Sequence, residues 1–386
     1  MTQMLPFIIV LFAGIFFSEI FARLHVPWVV ALVLGGIVLG LTSNADLFTQ
    51  NSLIQFFADI GLVFLMFMAG LETRFDQFRH LSKATIVLTL MNGILPFLVG
   101  LGIGFLFGFG WTTSFLIGII FVSSSIAIIV PAMNETHLFK KPLGRTIVQG
   151  AIISDIASLL LLSFVIQTTH PLTFLPVGLY IIVLVFVIIF LKWAVPAVVN
   201  FFKRIEITGG EERDADLRLV FVILLASILL FEFLGMHPIV GGFFTGLVMS
   251  EARISGKLRT QINTLAYSLF IPIFFVVVGA SLDLSVFGKV QGTLMLVLCI
   301  AVGASLVKYL SGYWAGRVSG FSKLHSQIMG AAVMPQLSTT LAVVFAGVSL
   351  GFISTPLETA LVILSITSTL VAPFLISYFT NKSKAV

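Results

Sequence analysis

The chain has 386 residues, 59% of them hydrophobic and only 10% charged, with a mean hydropathy of +1.15. So little polar surface excludes a water-soluble fold of this size and marks a polytopic membrane protein. The net charge of +5 sits in short loops rather than on one face, which argues against nucleic acid, and the single cysteine, Cys299, excludes an internal disulfide and a cysteine-rich metal site.

Apolar runs of about 17 to 25 residues, parted by turn residues and charges, predict thirteen spans. They lie at approximately 4–22, 27–42, 53–71, 83–108, 112–133, 143–167, 172–202, 216–235, 238–250, 263–282, 290–316, 325–349 and 356–380. The first has no basic stretch before it and reads as a span, not a cleaved signal. Of the 21 Lys and Arg, 18 follow odd-numbered spans, one (Lys289) falls in the opposite loops, and Lys192 and Lys308 lie inside spans. By the positive-inside rule the amino terminus is outside and the carboxyl terminus cytoplasmic, in a cell membrane. Twelve or fourteen spans would move one terminus across, but a wrong count would scramble the alternation.

Two charges lie deep in this frame. Asp155 is ten residues beyond Arg145 in span 6, and Lys308 nine residues before Arg317 in span 11. At 1.5 Å per residue both are about 15 Å deep, near the middle of a core about 30 Å thick. A charge there costs roughly 2.5–3.5 kcal/mol on insertion scales, so it needs a partner or a watery path. An acid and a base in separate spans supply a partnership and a proton-exchange chemistry.

At similar depth, span 5 reads FVSSSIAIIVPAM, with Ser124 and Ser125 before Pro131. Span 12 reads AAVMPQLSTTLAV, with Gln336 and Ser338 after Pro335. Proline removes a backbone donor, hydroxyls can satisfy the freed groups, and interrupted helices in corresponding places of two halves point to a midplane site. Spans 4–6 and 11–13 are offset by seven, an odd number, which makes them an inverted-topology repeat. Lys192 reads as a snorkelling or linker residue, Asp59 as a vestibule or packing residue, and Glu19 and Glu232 as interfacial. The six histidines fall at span ends or in loops, none at metal-ligand spacing.

The stretches FMAGLET, SSSIAIIVPAMNE, PLGRTIVQGAIISDIASL, PIVGGFFTGLVMSE, IPIFFVVVGASLDL and VKYLSGYWAGRVSGFS, in this order over nearly the whole chain, resemble the cation:proton antiporter-2 family. That family includes bacterial Na⁺/H⁺ antiporters of the NapA type. The resemblance implies an all-α fold of the NhaA/NapA kind, with about thirteen transmembrane helices and discontinuous crossing helices at spans 5 and 12. It implies a homodimer without a cofactor. Within each chain a core (approximately 83–167 and 290–380) moves against a dimerisation part (approximately 4–71 and 216–282), with 172–202 linking them. It places the ion-binding aspartate at Asp155, the core lysine at Lys308 and the crossing hydroxyl at Ser124 or Ser125. Where many relatives carry Asp or Asn before that aspartate, this chain has Ser154. Where they carry Arg and Glu after the second proline, it reads PQLS, leaving Gln336 and Ser338 to balance the helix ends.

The implied function is exchange of a monovalent cation (Na⁺, also Li⁺ or K⁺) for protons, because ionised Asp155 binds the cation and protonated Asp155 releases it. Hydroxyl or carbonyl oxygens of span 5 and Ser154 complete the cation shell. Lys308 is expected to pair with Asp155 when the cation is absent. Loss of the lysine proton as well would make exchange electrogenic, the scheme that its retention favours. An ion-coupled symporter or organic-anion carrier on a related inverted-repeat scaffold is the alternative, favoured by a substrate-sized polar cavity. Neither HExxH nor paired catalytic aspartates suggest an intramembrane enzyme, and no channel filter is recognisable.

Overall fold

The computed structural model describes residues 4–23, 26–42, 46–73, 81–135, 138, 141–169, 177–206, 215–234, 236–251, 256–282, 284–289 and 292–384. The loop cations Arg74, Arg79, Lys140, Arg213 and Arg253, and His25, His80, His137 and His170, lie outside them. The described chain is helical throughout: α1 (Met4–Ala22), α2 (Trp28–Gly40), α3 (Asp46–Thr49), α4 (Ser52–Glu72), α5 (Lys83–Leu106), α6 (Trp111–Val122), α7 (Ile126–Glu135), α8 (Pro142–Thr169), α9 (Val177–Glu206), α10 (Ala215–Phe233), α11 (Pro238–Glu251), α12 (Gly256–Leu265), α13 (Ile271–Ala280), α14 (Val286–Lys289), α15 (Thr293–Val318), α16 (Lys323–Val333), α17 (Ser338–Ser349) and α18 (Thr355–Lys384). Eight stretches among the described residues are long and apolar enough to cross a bilayer on their own; Trp28–Gly40 and Trp111–Val122 are shorter. Each of the thirteen sequence spans contains helix. Phe12, Phe186, Trp193 and Phe374 point outward, as lipid-facing side chains do.

Two sequence spans are interrupted helices. The first separates α6 from α7 at Ser123–Ser125, the second α16 from α17 around Pro335. Pro335 sits in its gap as expected. Pro131 does not: it lies inside α7, beyond the break. The serines interrupt the first helix because their backbone groups find partners elsewhere. Ser125 N donates to Pro335 O at 2.7 Å, joining the two gaps directly.

Helices α5–α8 and α15–α18 pack together, and α4 packs on α11 as α2 packs on α13. A Cβ on Gly70 would meet Phe243 O at 2.0 Å, and one on Gly246 would meet Phe67 O at 2.0 Å. On the other pair, Gly36 would meet Val276 O at 2.0 Å and Gly279 would meet Val33 O at 2.1 Å. Small residues let helix backbones touch where lipid supplies no hydrophobic drive. This explains how α11, only 14 residues long, belongs in a membrane. Most of it is wrapped in protein, so it need not span lipid alone. Between α12 and α13 the chain makes a π turn at Ala266–Phe270, just before Pro272. Proline lacks the N–H that regular α-helix would use there, and the wider turn absorbs the shift.

The inverted repeat also has a sequence trace that span parity alone does not reveal. Gly100, Gly104, Gly108, Phe109, Ser114 and Gly118 recur 212 residues later as Gly312, Gly316, Gly320, Phe321, Ser326 and Gly330. The repeated residues make repeated contacts. Gly104 lies against Ser114 as Gly316 lies against Ser326, and Gly100 against Gly118 as Gly312 against Gly330. Gly108 and Gly320 turn the chain with φ of 75° and 84°, a region glycine enters without strain. Phe109 N donates to Gly104 O and Phe321 N to Gly316 O, each at 3.0 Å.

Candidate ion-exchange site

The half-helices put four ends at one buried place: the carbonyl ends of α6 and α16 and the N–H ends of α7 and α17. Carbonyl ends attract cations and N–H ends attract anions. Lys308, on α15 and fully buried, serves the first kind. Its Nζ donates to Val122 O at 2.9 Å, Ser123 O at 2.7 Å and Ser124 Oγ at 2.6 Å. Three donors thus meet three oxygens at the end of α6. Lys308 does not snorkel.

Asp155, on α8 and 2% exposed, serves the second kind. Its Oδ1 accepts from Ser124 N at 3.2 Å, just ahead of α7. The expected pairing of Lys308 with Asp155 is not what the structure contains. Ser124 stands between them, meeting the carboxylate with its backbone N–H and the ammonium with its hydroxyl. The Ser124 hydroxyl also donates to Val333 O at 3.1 Å and accepts from Asn92 Nδ2 at 3.4 Å. Its one proton and two lone pairs are therefore committed.

Three more buried hydroxyls belong to these elements: Ser125, Ser154 and Thr339, whose oxygens close no full hydrogen bond within the described protein. Ser154 precedes Asp155 and Ser125 follows the residue that holds it. Thr339 lies close to the carboxylate without closing a hydrogen bond of full geometry. A carboxylate with hydroxyl oxygens suits a hard cation. No cluster of three His, Cys, Asp or Glu forms among the described residues.

Gln336 lies at the crossing: its Nε2 donates to Phe121 O at 2.9 Å, another carbonyl at the end of α6. Ser338 opens α17. Ser123 and Thr340 share a hydrogen bond of 2.6 Å that ties the two interrupted helices. Sequence reasoning did not single out Thr339 or Asn92. Thr339 belongs to the STT run after the second break, and hydroxyl runs at both breaks were the available signal. Asn92 is a lone buried amide on α5, whose other face is lipid-exposed; its Oδ1 accepts from Ser311 Oγ at 3.2 Å. Away from the crossing, Lys192 has a partner, Glu251 on α11 at 3.4 Å. Asp59, Glu19 and Glu232 are exposed, and His237 accepts from Ile239 N at the start of α11.

Comparison with known proteins finds relatives along nearly the whole chain. Among curated relatives, the chain is 29% identical to a probable Na⁺/H⁺ antiporter 3 of Methanocaldococcus jannaschii, over 96% of this chain and 95% of the relative. It is 28% identical to a Na⁺/H⁺ antiporter of Enterococcus hirae, covering 95% and 94%, and 27% identical to the Na⁺/H⁺-K⁺ antiporter GerN of Bacillus cereus, covering 93% and 90%. Its fold matches the sodium proton antiporter MjNhaP1 of M. jannaschii with a TM-score of 0.70 at 16% identity, over 98% of this chain and 97% of that one. The model of the transmembrane sodium/hydrogen exchanger family matches residues 7–382, and the chain belongs to that family.

Proposed function

We propose that this protein is a secondary active antiporter that exchanges a monovalent cation for protons, with Na⁺ as principal substrate and Li⁺ or K⁺ also accepted. The observation that carries the reading is Asp155, buried at the crossing, held by Ser124 N and faced by the Thr339 hydroxyl, with the buried hydroxyls of Ser125 and Ser154 next to Ser124 and Asp155 in the chain. Ionised, the carboxylate and these oxygens replace the cation's water. Protonated, the carboxyl no longer holds the cation. One site carries either ion, so alternating exposure to the two sides exchanges them. The names of the curated relatives support sodium and proton as substrates, and GerN supports potassium.

Helices α5–α8 and α15–α18 form the moving core, and α1–α4 with α10–α13 form the scaffold that meets a second copy in a homodimer. Helix α9 joins them, and the core travels by an elevator-like step. The chain sits in a cell membrane with its amino terminus outside and its carboxyl terminus in the cytoplasm. Among the described residues, three grooves of about 710, 540 and 450 Å³ have mostly apolar walls without Asp155 and lend no support to an organic-anion carrier.

Asp155→Asn tests the reading, because it keeps the shape and removes the titrating charge. Proteoliposomes with a ΔpH-sensitive dye, given Na⁺, Li⁺ and K⁺ separately, should show no cation-dependent dequenching with the variant, while its folding and dimerisation match the wild type. Near-normal flux from Asp155→Asn would overturn the assignment.

A further inference from the structure

We infer that Ser368 is the second repeat's counterpart of Asp155, and that its neutral hydroxyl restricts the crossing to one titrating carboxylate. This rests on the antiport reading of Asp155 and extends it to the number of protons exchanged.

The register of the repeat carries the inference. Glycine contacts and turns recur at a spacing of 212 residues, as do the starts of α6 and α16 and of α7 and α17, so Gln336 is the counterpart of Ser124. Helix α8 opens at Pro142 and α18 at Thr355, so the spacing becomes 213 for the last helix of each repeat. On that register position 155 corresponds to 368. The hydrogen bonds agree: Ser124 N donates to Asp155 Oδ1 at 3.2 Å, and Gln336 N donates to Ser368 Oγ at 3.1 Å. Each repeat has a backbone N–H in its gap aimed at an acceptor on its last helix. In the first the acceptor is a carboxylate; in the second it is a buried hydroxyl. Lys308 obeys the same rule in reverse, since its counterpart at the 212-residue spacing is Pro96 on α5. The repeat thus pairs Asp155 with a serine and Lys308 with a proline, so the crossing holds one acid and one base at these four places.

The surroundings make neutrality at Ser368 consequential. The Ser368 hydroxyl is buried, and beside it Gln336 Oε1 and Thr369 Oγ1 are buried oxygens without a hydrogen-bond partner among the described residues. Of the helices packed on α18, α2 and α17 have no titratable side chain and α7 has only Glu135 at its end. Helix α16 carries Lys323 and His325 in its first turn, and α15 carries Cys299 in its first half, Lys308 and Tyr309 at the crossing, then Tyr313 and Arg317 further on. Lys308, Tyr309 and Asp155 are the titratable groups at the depth of the crossing. A carboxylate at 368 would share their field. Cation arrival at Asp155 would favour its ionised form too, releasing a second proton.

The experiment compares Ser368→Asp with Ser368→Asn, two substitutions of one shape that differ in charge, in full-length reconstituted protein. The readouts are the pH profile of Na⁺-driven exchange and the protons displaced per Na⁺ bound. Asp should shift the profile and raise the proton count above one, while Asn keeps the wild-type profile and count. Identical behaviour of the two folded variants would overturn the inference. Should Ser368→Asp fail to fold, Ser368→Ala and Ser368→Thr decide. Loss of the acceptor for Gln336 N should slow exchange several-fold without moving the pH midpoint, and Thr should restore the rate. A wild-type rate with Ala, or a moved midpoint, would refute it. Loss of exchange in Asp155→Asn is a separate result, so the two readings fail separately.

Discussion

Ser124 touches the acid, the base and the end of the second interrupted helix, yet its hydroxyl has no bonding capacity left for a cation. Its neighbour Ser125 has the opposite character, buried with a free oxygen. The two serines should therefore fail differently. Ser125→Ala and Thr339→Val remove cation ligands and should raise the Na⁺ KM, with little change in the maximal rate. A hydrogen-bond-like contact to a charge is worth about 1.5–3 kcal/mol, roughly ten- to hundredfold. Ser154→Ala, lacking one auxiliary oxygen, should raise KM several-fold at most. Ser124→Ala removes an acceptor of the Lys308 ammonium and should lower the maximal rate at every cation concentration. Exchange rates across a Na⁺ titration separate the cases; a pure KM effect in Ser124→Ala would reverse the assignment. Asp155 and Lys308 were legible in the sequence because a buried charge stands out against an apolar span. Thr339 and Asn92 were not, because a neutral polar residue in a membrane helix is ordinary until the fold shows what it faces.

Helices announced themselves through composition, and their crossings did not. The spans follow from apolar length, but the places where backbones touch depend on glycines that resemble the other glycines of the chain. Geometry separates them: a Cβ on Gly70 or Gly246 would strike a carbonyl oxygen at 2.0 Å, whereas one on Gly93 meets nothing within 4 Å. Gly70→Ala or Gly246→Ala should thus push α4 and α11 apart and destabilise the fold by about 1–3 kcal/mol, the usual cost of overpacking. Gly93→Ala should leave stability unchanged or raise it slightly, since alanine is the better helix former. Thermal unfolding of the detergent-purified variants measures this, and equal midpoints for Gly70→Ala and Gly93→Ala would show that the crossing can yield. The break in the first interrupted helix was also misread, from the general rule that proline ends helices. Pro131 is accommodated within α7, and the gap falls at Ser123–Ser125, where Asp155 and Pro335 O claim the backbone donors. That competition depends on residues far along the chain, so a local reading could not see it.

At the scale of the whole molecule, the charge count decides what a transport cycle moves. The sequence favoured an electrogenic exchange in which a cation breaks a Lys308–Asp155 pair and frees a second proton. The structure holds Lys308 by other partners. Lys308 gives its protons to Val122 O, Ser123 O and Ser124 Oγ, at the carbonyl end of α6. A cation arriving at Asp155 breaks none of these bonds, so Lys308 is expected to keep its proton and travel as a fixed charge. One carboxylate is then expected to exchange one proton for one monovalent cation, with no net charge crossing. Dye-detected exchange should therefore be robust while Na⁺ pulses on a solid-supported membrane give no sustained current, and an imposed membrane potential should leave the rate unchanged. Lys308→Gln should slow exchange, because a neutral amide satisfies fewer of the three oxygens, but the remaining exchange should still be electroneutral. Transient currents in the wild type that vanish in Lys308→Gln would show instead that the lysine proton is exchanged, and that the three bonds to α6 open during the cycle.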